Sequence, residues 1–258
     1  MTGWGSQMTG APTCPVCDGA ADLYDVVDFN KNCEERNGLF LPLSGKPIYY
    51  ALCSQCDYLF APEFQTWSDQ DFFERIYNDG YAAVDPEHKA IRPDKDFQLV
   101  EFMFGDFKGQ FSHLDYGGGE GRLSQTLSEA GWRSTSYDPF FNPLSSLAGE
   151  TFDLITAFEV FEHVPRPHEM MERIAAASHA QTFVFFSTGS HDGRFKPGQR
   201  IEDWYVAPRN GHVAVFSHKA LAALAGRHGF KFASFNSDQH CFYRTIPPWA
   251  IHLTRSAD

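Results

Sequence analysis

The sequence predicts an α/β protein: a doubly wound, mostly parallel sheet with an antiparallel last strand, preceded by a small β-rich module. Three observations carry this expectation. Between residues 111 and 187, apolar strand-like runs alternate with amphipathic helical ones, a pattern that implies right-handed crossovers onto a parallel sheet. Four glycines (Gly117, Gly118, Gly119 and Gly121) crowd into the turn after the first of those runs. Two C-x-x-C pairs, Cys14/Cys17 and Cys53/Cys56, enclose 35 residues near the start of the chain.

Taken in order, the segment between the cysteine pairs holds an alternating stretch at 24–29 and an apolar run at 48–52, which read as strands of the small module, expected to span 1–62. From about 69 to 104 the pattern becomes helical. Residues 71–77 form one amphipathic turn, and Phe97, Val100, Phe102 and Met103 supply another apolar face. Pro86 and Pro93 interrupt this region, so two helices joined by a loop are expected. There follow a strand at 111–116, a helix at 123–129, strands at 133–137 and 152–158, a helix at 168–179 and a strand at 182–187. Beyond Gly189 the chain turns irregular and polar through Asn210. A helix at 219–228 then ends at Gly229, and strands are expected at 230–235 and 241–246. The α/β domain is expected to span 63–258, with the helical segment at its start.

Composition sets the class of partner. A chain of 258 residues that is 43% hydrophobic and 21% charged can bury a sizeable core. A formal net charge of -12 disfavours nucleic acid, whose nonspecific binding depends on clustered Lys and Arg replacing condensed counterions. The first residues carry no basic patch, and no run of about 18 apolar residues occurs, so neither a signal peptide nor a membrane span is expected. The chain is read as cytoplasmic, acting on a small molecule.

The glycine turn narrows the ligand. A backbone without Cβ atoms lets a ligand lie against it, and the N-terminus of the next helix offers N–H groups. The dinucleotide fingerprint G-x-G-x-x-G, started at Gly117, needs a third glycine where Arg122 stands. What remains is D-x-G-x-G-x-G with Asp115 closing the strand. A carboxylate there repels a diphosphate and welcomes an ammonium, which favours a nucleotide ligand bearing an amino acid. The next strand ends in Asp138, about 20 residues beyond the loop, where a carboxylate can accept from both ribose hydroxyls. The run 151–164 is polar only at its C-terminal end, where ligands of open parallel sheets bind. The four paired cysteines fit a closed tetrahedral zinc site that stabilises a small fold, with Cys33 and Cys241 left outside the motif.

In the same order along the chain, DYGGGEG, SYDPF and FDLITAFEVFEHVPRP resemble successive motifs of the class I S-adenosylmethionine-dependent methyltransferases, over about residues 112–187. The resemblance implies that Asp115, Gly117, Gly119 and Gly121 hold the methionine end of the cofactor, that Asp138 holds the ribose, and that Phe158 and Glu159 flank the methyl group. The segment 77–81 resembles the aromatic segment that closes over the cofactor in related enzymes, which makes Tyr81 a further contact. Only 14 residues separate Asp138 from Asp153, so the third strand and the usual acidic residue capping the adenine are expected to be reduced or missing. Four cysteines ahead of such a domain resemble the sugar methyltransferases of natural-product pathways, which carry a zinc module. The long C-terminal domain of those enzymes has no counterpart in this sequence.

Methyl transfer from a sulfonium is an in-line displacement, so positioning supplies most of the catalysis and a base is needed only for the acceptor's proton. His163 has chemistry suited to that task and Glu162 stands beside it, although the pair can equally hold the start of the following helix. Glu159, Glu162 and His163 also match a spacing that some small-molecule O-methyltransferases use for a divalent ion, with no fourth ligand evident. Loops need no Trp, Tyr, Arg and His for a core, so Tyr205, Arg209 and His212 in the stretch 204–213 are acceptor-pocket candidates. The catalytic set is therefore His163, Glu162, His212 and Tyr205, while His88, His179 and His228 read as surface residues. The expected function is methyl transfer to oxygen or carbon of a small molecule, with a sugar as one option. The alternatives are a non-catalytic zinc-ribbon binding module with a cofactor-binding fold, and an rRNA methyltransferase, which the acidic charge opposes.

Overall fold

The computed structural model describes residues 11–87, 91–141, 147 and 149–254; the first ten residues and His88 lie outside them. In chain order the elements are β1 (Ala21–Asp28), β2 (Pro47–Cys53), β3 (Leu59–Phe60), α1 (Asp69–Arg75), α2 (Tyr81–Val84), α3 (Ile91–Phe104), β4 (Ser112–Tyr116), α4 (Arg122–Glu129), β5 (Arg133–Tyr137), β6 (Phe152–Phe158), α5 (Pro167–Ala176), β7 (Ser178–Ser187), β8 (Ala214–Val215), α6 (His218–Arg227), β9 (Lys231–Ser234) and β10 (Gln239–Tyr243). They belong to two compact units, each assembled from three stretches of chain. The first comprises Met1–Pro86, Phe161–His168 and Gly189–Leu224, and the second Glu87–Val160, Glu169–Thr188 and Ala225–Asp258.

The second unit is built on a six-stranded sheet of order β5-β4-β6-β7-β10-β9. β5, β4, β6 and β7 run parallel, whereas β10 is antiparallel to β7 and β9 antiparallel to β10. The expected parallel sheet with an antiparallel end is therefore present. Leu114, Leu154, Ile155, Val184, Phe185 and Phe186 are fully buried, as strands covered on both faces require. Val100 and Phe104 of α3 and Leu123 and Leu127 of α4 pack with Leu154, Phe183 and Phe185 in one core. β5 forms the sheet edge, and among the described residues no strand lies beyond it, in line with the short interval after Asp138. Its sequence, RSTSY, suits an edge whose outer hydrogen-bonding groups meet solvent.

The helical region departs from expectation in one respect: among the described residues it contains three α-helices rather than two. Pro86 follows α2, but Pro93 sits inside the first turn of α3. The first N–H groups of a helix have no intrahelical partner, so a proline there removes nothing.

The first unit holds a four-stranded sheet of order β1-β2-β3-β8. β1 and β2 pair antiparallel across the interval between the cysteine pairs. β3 then pairs with β8, Leu59 opposite Val215 and Phe60 opposite Ala214. The small sheet thus draws on residues well beyond the expected limit of the cysteine module at 62. β8 went unforeseen because a two-residue strand shows no period. Its signal is the fully buried run Val213, Ala214, Val215 and Phe216 inside an otherwise polar stretch. α1 begins with a capping box in which Ser68 and Asp71 exchange hydrogen bonds.

Candidate active site and metal centre

In the second unit, the turn after β4 is shaped by steric necessity. Gly117, Gly119 and Gly121 adopt left-handed backbone conformations, with φ of +77°, +56° and +80°. Gly118 has an ordinary φ but no space: a Cβ there would stand 2.2 Å from Asp115 Oδ2 and 2.5 Å from Ser136 Oγ. The Gly117 N–H donates to the Tyr137 carbonyl at 2.7 Å and the Gly119 N–H to Asp138 Oδ2 at 3.0 Å. Asp138 Oδ1 accepts from the Phe140 and Phe141 N–H groups at 2.8 and 3.1 Å. Asp138 therefore pins the glycine turn to the end of β5, and its Oδ2 retains a second lone pair for a ligand.

Asp115 is 3% exposed, and its Oδ2, like Ser136 Oγ, is buried with no hydrogen-bond partner. Burial, reinforced by Asp96 and Asp138, pushes the Asp115 carboxyl up to about 7. Asp96, on α3, is also pushed up to about 7 by burial, with Arg92 opposing and Glu159 adding to the rise. Asp96 and Asp138 thus both act on the buried Asp115 carboxyl, whose Oδ2 has no hydrogen-bond partner, so a cationic group there would relieve it. Asp96 was not foreseen, since it stands in a charged helical run with no motif around it. Glu159, just beyond β6, has φ of +52°, unusual for a residue with a side chain. It is held by Ser187, whose carbonyl accepts the Glu159 N–H at 3.1 Å and whose hydroxyl donates to Glu159 Oε1 at 3.2 Å. Phe158 is half-buried and meets the Phe185 ring edge-on at 5.9 Å.

In the first unit, all four paired cysteines converge, their sulfurs within 4.8 Å of one another. Cys14 and Cys56 Sγ lie 3.6 Å apart and Cys17 and Cys53 Sγ 3.4 Å. Zinc–sulfur bonds of about 2.3 Å in a tetrahedron give edges of roughly 3.8 Å, so the set fits zinc closely. The two C-x-x-C turns repeat one another. Cys14 N–H donates to the Gly19 carbonyl and Asp18 N–H to that of Cys14. Cys53 N–H donates to the Tyr58 carbonyl and Asp57 N–H to that of Cys53. Asp18 and Asp57, each following a second cysteine, are both left-handed, with φ of +59° and +57°. The hydrogen bond with Cys56 lowers the Cys14 thiol to about 6.

The first unit also gathers the four expected catalytic residues. Glu162 is fully buried, and the Tyr205 hydroxyl donates to its Oε1 at 2.5 Å while accepting the Gly189 N–H at 2.8 Å. His163 Nδ1 lies 3.1 Å from the Gly211 carbonyl oxygen and 3.2 Å from the Tyr77 hydroxyl. His212 Nδ1 lies 2.8 Å from the Tyr205 carbonyl oxygen, and the His163 and His212 rings meet edge to face at 4.9 Å. Two further residues join them: Tyr77, from the aromatic segment 77–81, through its hydroxyl on His163, and Cys33, which no motif marks and whose Sγ packs 3.9 Å from His212 Nδ1. Arg209, the remaining pocket candidate, is 9% exposed. Its guanidinium donates to the Ile76 carbonyl at 2.9 Å and Asn78 Oδ1 at 3.2 Å, anchoring the segment that carries Tyr77. Tyr81 also belongs to this unit, its hydroxyl 3.2 Å from Asp85 Oδ2 and 3.3 Å from the Asn210 carbonyl oxygen.

Comparison with known proteins gives one family. A family model described as a methyltransferase domain matches residues 87–234. No curated protein matches the sequence. Among solved structures, human N-acetylserotonin methyltransferase in complex with SAM is 12% identical with a TM-score of 0.50, the match covering 71% of this chain and 61% of that one. Magnesium protoporphyrin IX methyltransferase from Synechocystis PCC 6803 with bound SAH is 17% identical over 70% of this chain and 95% of that one, with a TM-score of 0.41. Mitomycin 7-O-methyltransferase is 16% identical over 66% and 59% of the two chains, with a TM-score of 0.48. At such identities the likeness is one of fold.

Proposed function

Because the chain belongs to the methyltransferase-domain family, we propose that it moves a methyl group from S-adenosylmethionine to an oxygen or carbon of a small-molecule acceptor. The observation that carries this reading is the orphaned Asp115 Oδ2, buried with Ser136 Oγ against Gly118 of the glycine turn, its carboxyl acted on by Asp96 and Asp138. Such a cradle rejects a diphosphate and rewards a ligand with an ammonium or sulfonium charge. When bound, S-adenosylmethionine supplies the electrophilic methyl group. Asp115, Gly117, Gly119 and Gly121 hold its amino-acid end, Asp138 its ribose, Phe158 and Glu159 flank the methyl group, and Tyr81 adds an aromatic contact. Ser187, through its two hydrogen bonds to Glu159, keeps that carboxylate fixed at the end of β6.

The chemistry asked of side chains is modest, because the sulfonium is a good leaving group and alignment does most of the work. Deprotonation of the acceptor falls to His163, oriented by Tyr77 and the Gly211 carbonyl, with Glu162, Tyr205 and His212 forming the polar surround that stabilises the proton it receives. Cys14, Cys17, Cys53 and Cys56 bind zinc for structure, since four thiolates leave no open coordination position. A sugar acceptor is the narrower form of the proposal and rests on the pairing of a four-cysteine module with this domain. Isothermal titration of the full chain with S-adenosylmethionine and its demethylated product tests the cofactor assignment: binding that Asp115→Ala abolishes is expected, and no heat from the unaltered protein would overturn it.

A further inference from the structure

In the second unit, the start of α3 lies against the glycine turn. Asp94 Oδ1 accepts from Nε and Nη2 of Arg122, the first residue of α4, at 3.3 and 3.0 Å. Asp96, Val100 and Phe104 follow at intervals of four and share one face of the helix. Val100 and Phe104 are fully buried, in one core with Leu154, Phe183 and Phe185. That face therefore carries a carboxylate one turn before Val100, toward the end of the helix that is tied to the glycine turn.

A carboxylate on the apolar face of a helix has a desolvation cost to offset. Asp96 stands within electrostatic reach of two strand ends: it acts on Asp115, at the end of β4, and on Glu159, just beyond β6. Arg92 and Lys95, on its own helix, are the cations that act on it. The neighbouring Asp115 is 3% exposed, and its Oδ2 is buried with no hydrogen-bond partner. Helix and strands thus bring carboxylates from three separate elements to one end of the sheet, with an unpartnered buried oxygen among them. Such an arrangement is unfavourable until positive charge enters it.

We propose that Asp96 reads the charge of the cofactor, attracting both the ammonium and the sulfonium of S-adenosylmethionine and so favouring the methylated cofactor over its demethylated product. The proposal rests on the S-adenosylmethionine reading above and gives that site a preference between its two forms. Three carbon atoms separate the ammonium nitrogen from the sulfur in this ligand, so a carboxylate that acts on Asp115 and Glu159 alike acts on both charges. The demethylated product keeps the ammonium, but its sulfur is neutral. Asp96 then loses part of its attraction, whereas Asp115, at the amino-acid end, keeps its own. Asp96 is half-buried, which leaves this attraction less screened than that of a surface pair. Loss of the sulfonium charge thereby loosens the site's hold once a methyl group has been given up.

The test is calorimetric titration of the full chain and of Asp96→Asn with three ligands: S-adenosylmethionine, S-adenosylhomocysteine, and sinefungin, in which an amine-bearing carbon replaces the methylated sulfur and restores the second positive charge. Asp96→Asn should weaken S-adenosylmethionine and sinefungin about tenfold and S-adenosylhomocysteine about threefold or less. Retained binding of S-adenosylhomocysteine reports a folded site in the same experiment. Asp115→Asn, at the amino-acid end, should instead weaken all three ligands alike. An Asp96→Asn protein that binds S-adenosylmethionine as tightly as the unaltered chain would overturn the proposal and leave the cofactor reading standing, as would one that loses all three ligands equally. Absence of binding by the unaltered chain would overturn the cofactor reading and this proposal with it.

Discussion

Asp115 shows how a single buried atom sets the behaviour of a site. Its carboxyl, normally near 3.8, is raised to about 7 by burial and then by Asp96 and Asp138. A raised carboxyl means that the folded chain holds a proton which the unfolded chain has released. Its contribution to stability is complete below about pH 4 and is lost as pH rises through about 7. Without cofactor, the unaltered protein should therefore lose stability relative to Asp115→Asn between about pH 5 and pH 8, measured by thermal unfolding across that range. Cofactor affinity should move the other way, strengthening as the carboxyl ionises through about pH 7. Gly118 supplies a steric counterpart. Gly118→Ala places a methyl 2.2 Å from Asp115 Oδ2, so cofactor binding should weaken by about a hundredfold, the equivalent of about 3 kcal/mol, in the same calorimetric assay. Tyr205→Phe removes a donor from buried Glu162 and an acceptor from the Gly189 N–H, and should destabilise the protein by about 1–3 kcal/mol in denaturant unfolding.

At the scale of elements, the paired cysteine turns and the strand ends differ in what holds them. The turns are closed by short-range hydrogen bonds and by what their sulfurs share. The His168 ring nitrogen, 3.1 Å from the Val16 carbonyl oxygen, adds one longer tie. Much of the stability of such a small sheet comes from the metal, because in metal-stapled modules the binding free energy is folding free energy. Chelation under mild denaturing conditions, or Cys14→Ser, should abolish zinc binding and lower the unfolding midpoint by about 10 °C, at roughly 2–4 °C per kcal/mol. In the second unit β6 falls at 152–158 as expected, because its apolar run is bounded by turn residues, and the polar edge strand β5 falls at 133–137, whereas β10 spans Gln239–Tyr243 rather than the expected 241–246. Pro93 does not divide the helices as expected, because a proline breaks a helix only beyond its first turn and α3 begins two residues before it.

For the whole molecule, chain order and spatial assembly part company. β3 needs β8 as its neighbour, the Tyr50 hydroxyl donates to the His212 carbonyl at 2.8 Å, and Ser217 Oγ donates to the Cys56 carbonyl, so the cysteine sheet draws on residues from 212 to 217. A fragment covering 1–62 should therefore fail to fold even with zinc, giving broad, poorly dispersed amide resonances where the full chain gives sharp ones. The net charge of -12 argues at the same scale: mixed with rRNA fragments at physiological salt, the full chain should leave their mobility unchanged in a gel-shift assay. The sheet class, the glycine turn with Asp115 and Asp138, and the two cysteine turns were all readable along the chain, because each is written in neighbouring residues whose spacing obeys local geometry. The particular atoms at which Glu162, His163, Tyr205 and His212 meet one another and Tyr77, the recruitment of β8, and the part played by Asp96 were not. Those contacts join residues tens to more than a hundred positions apart, and no local period or motif records which distant side chain a folded core will bring to a given atom.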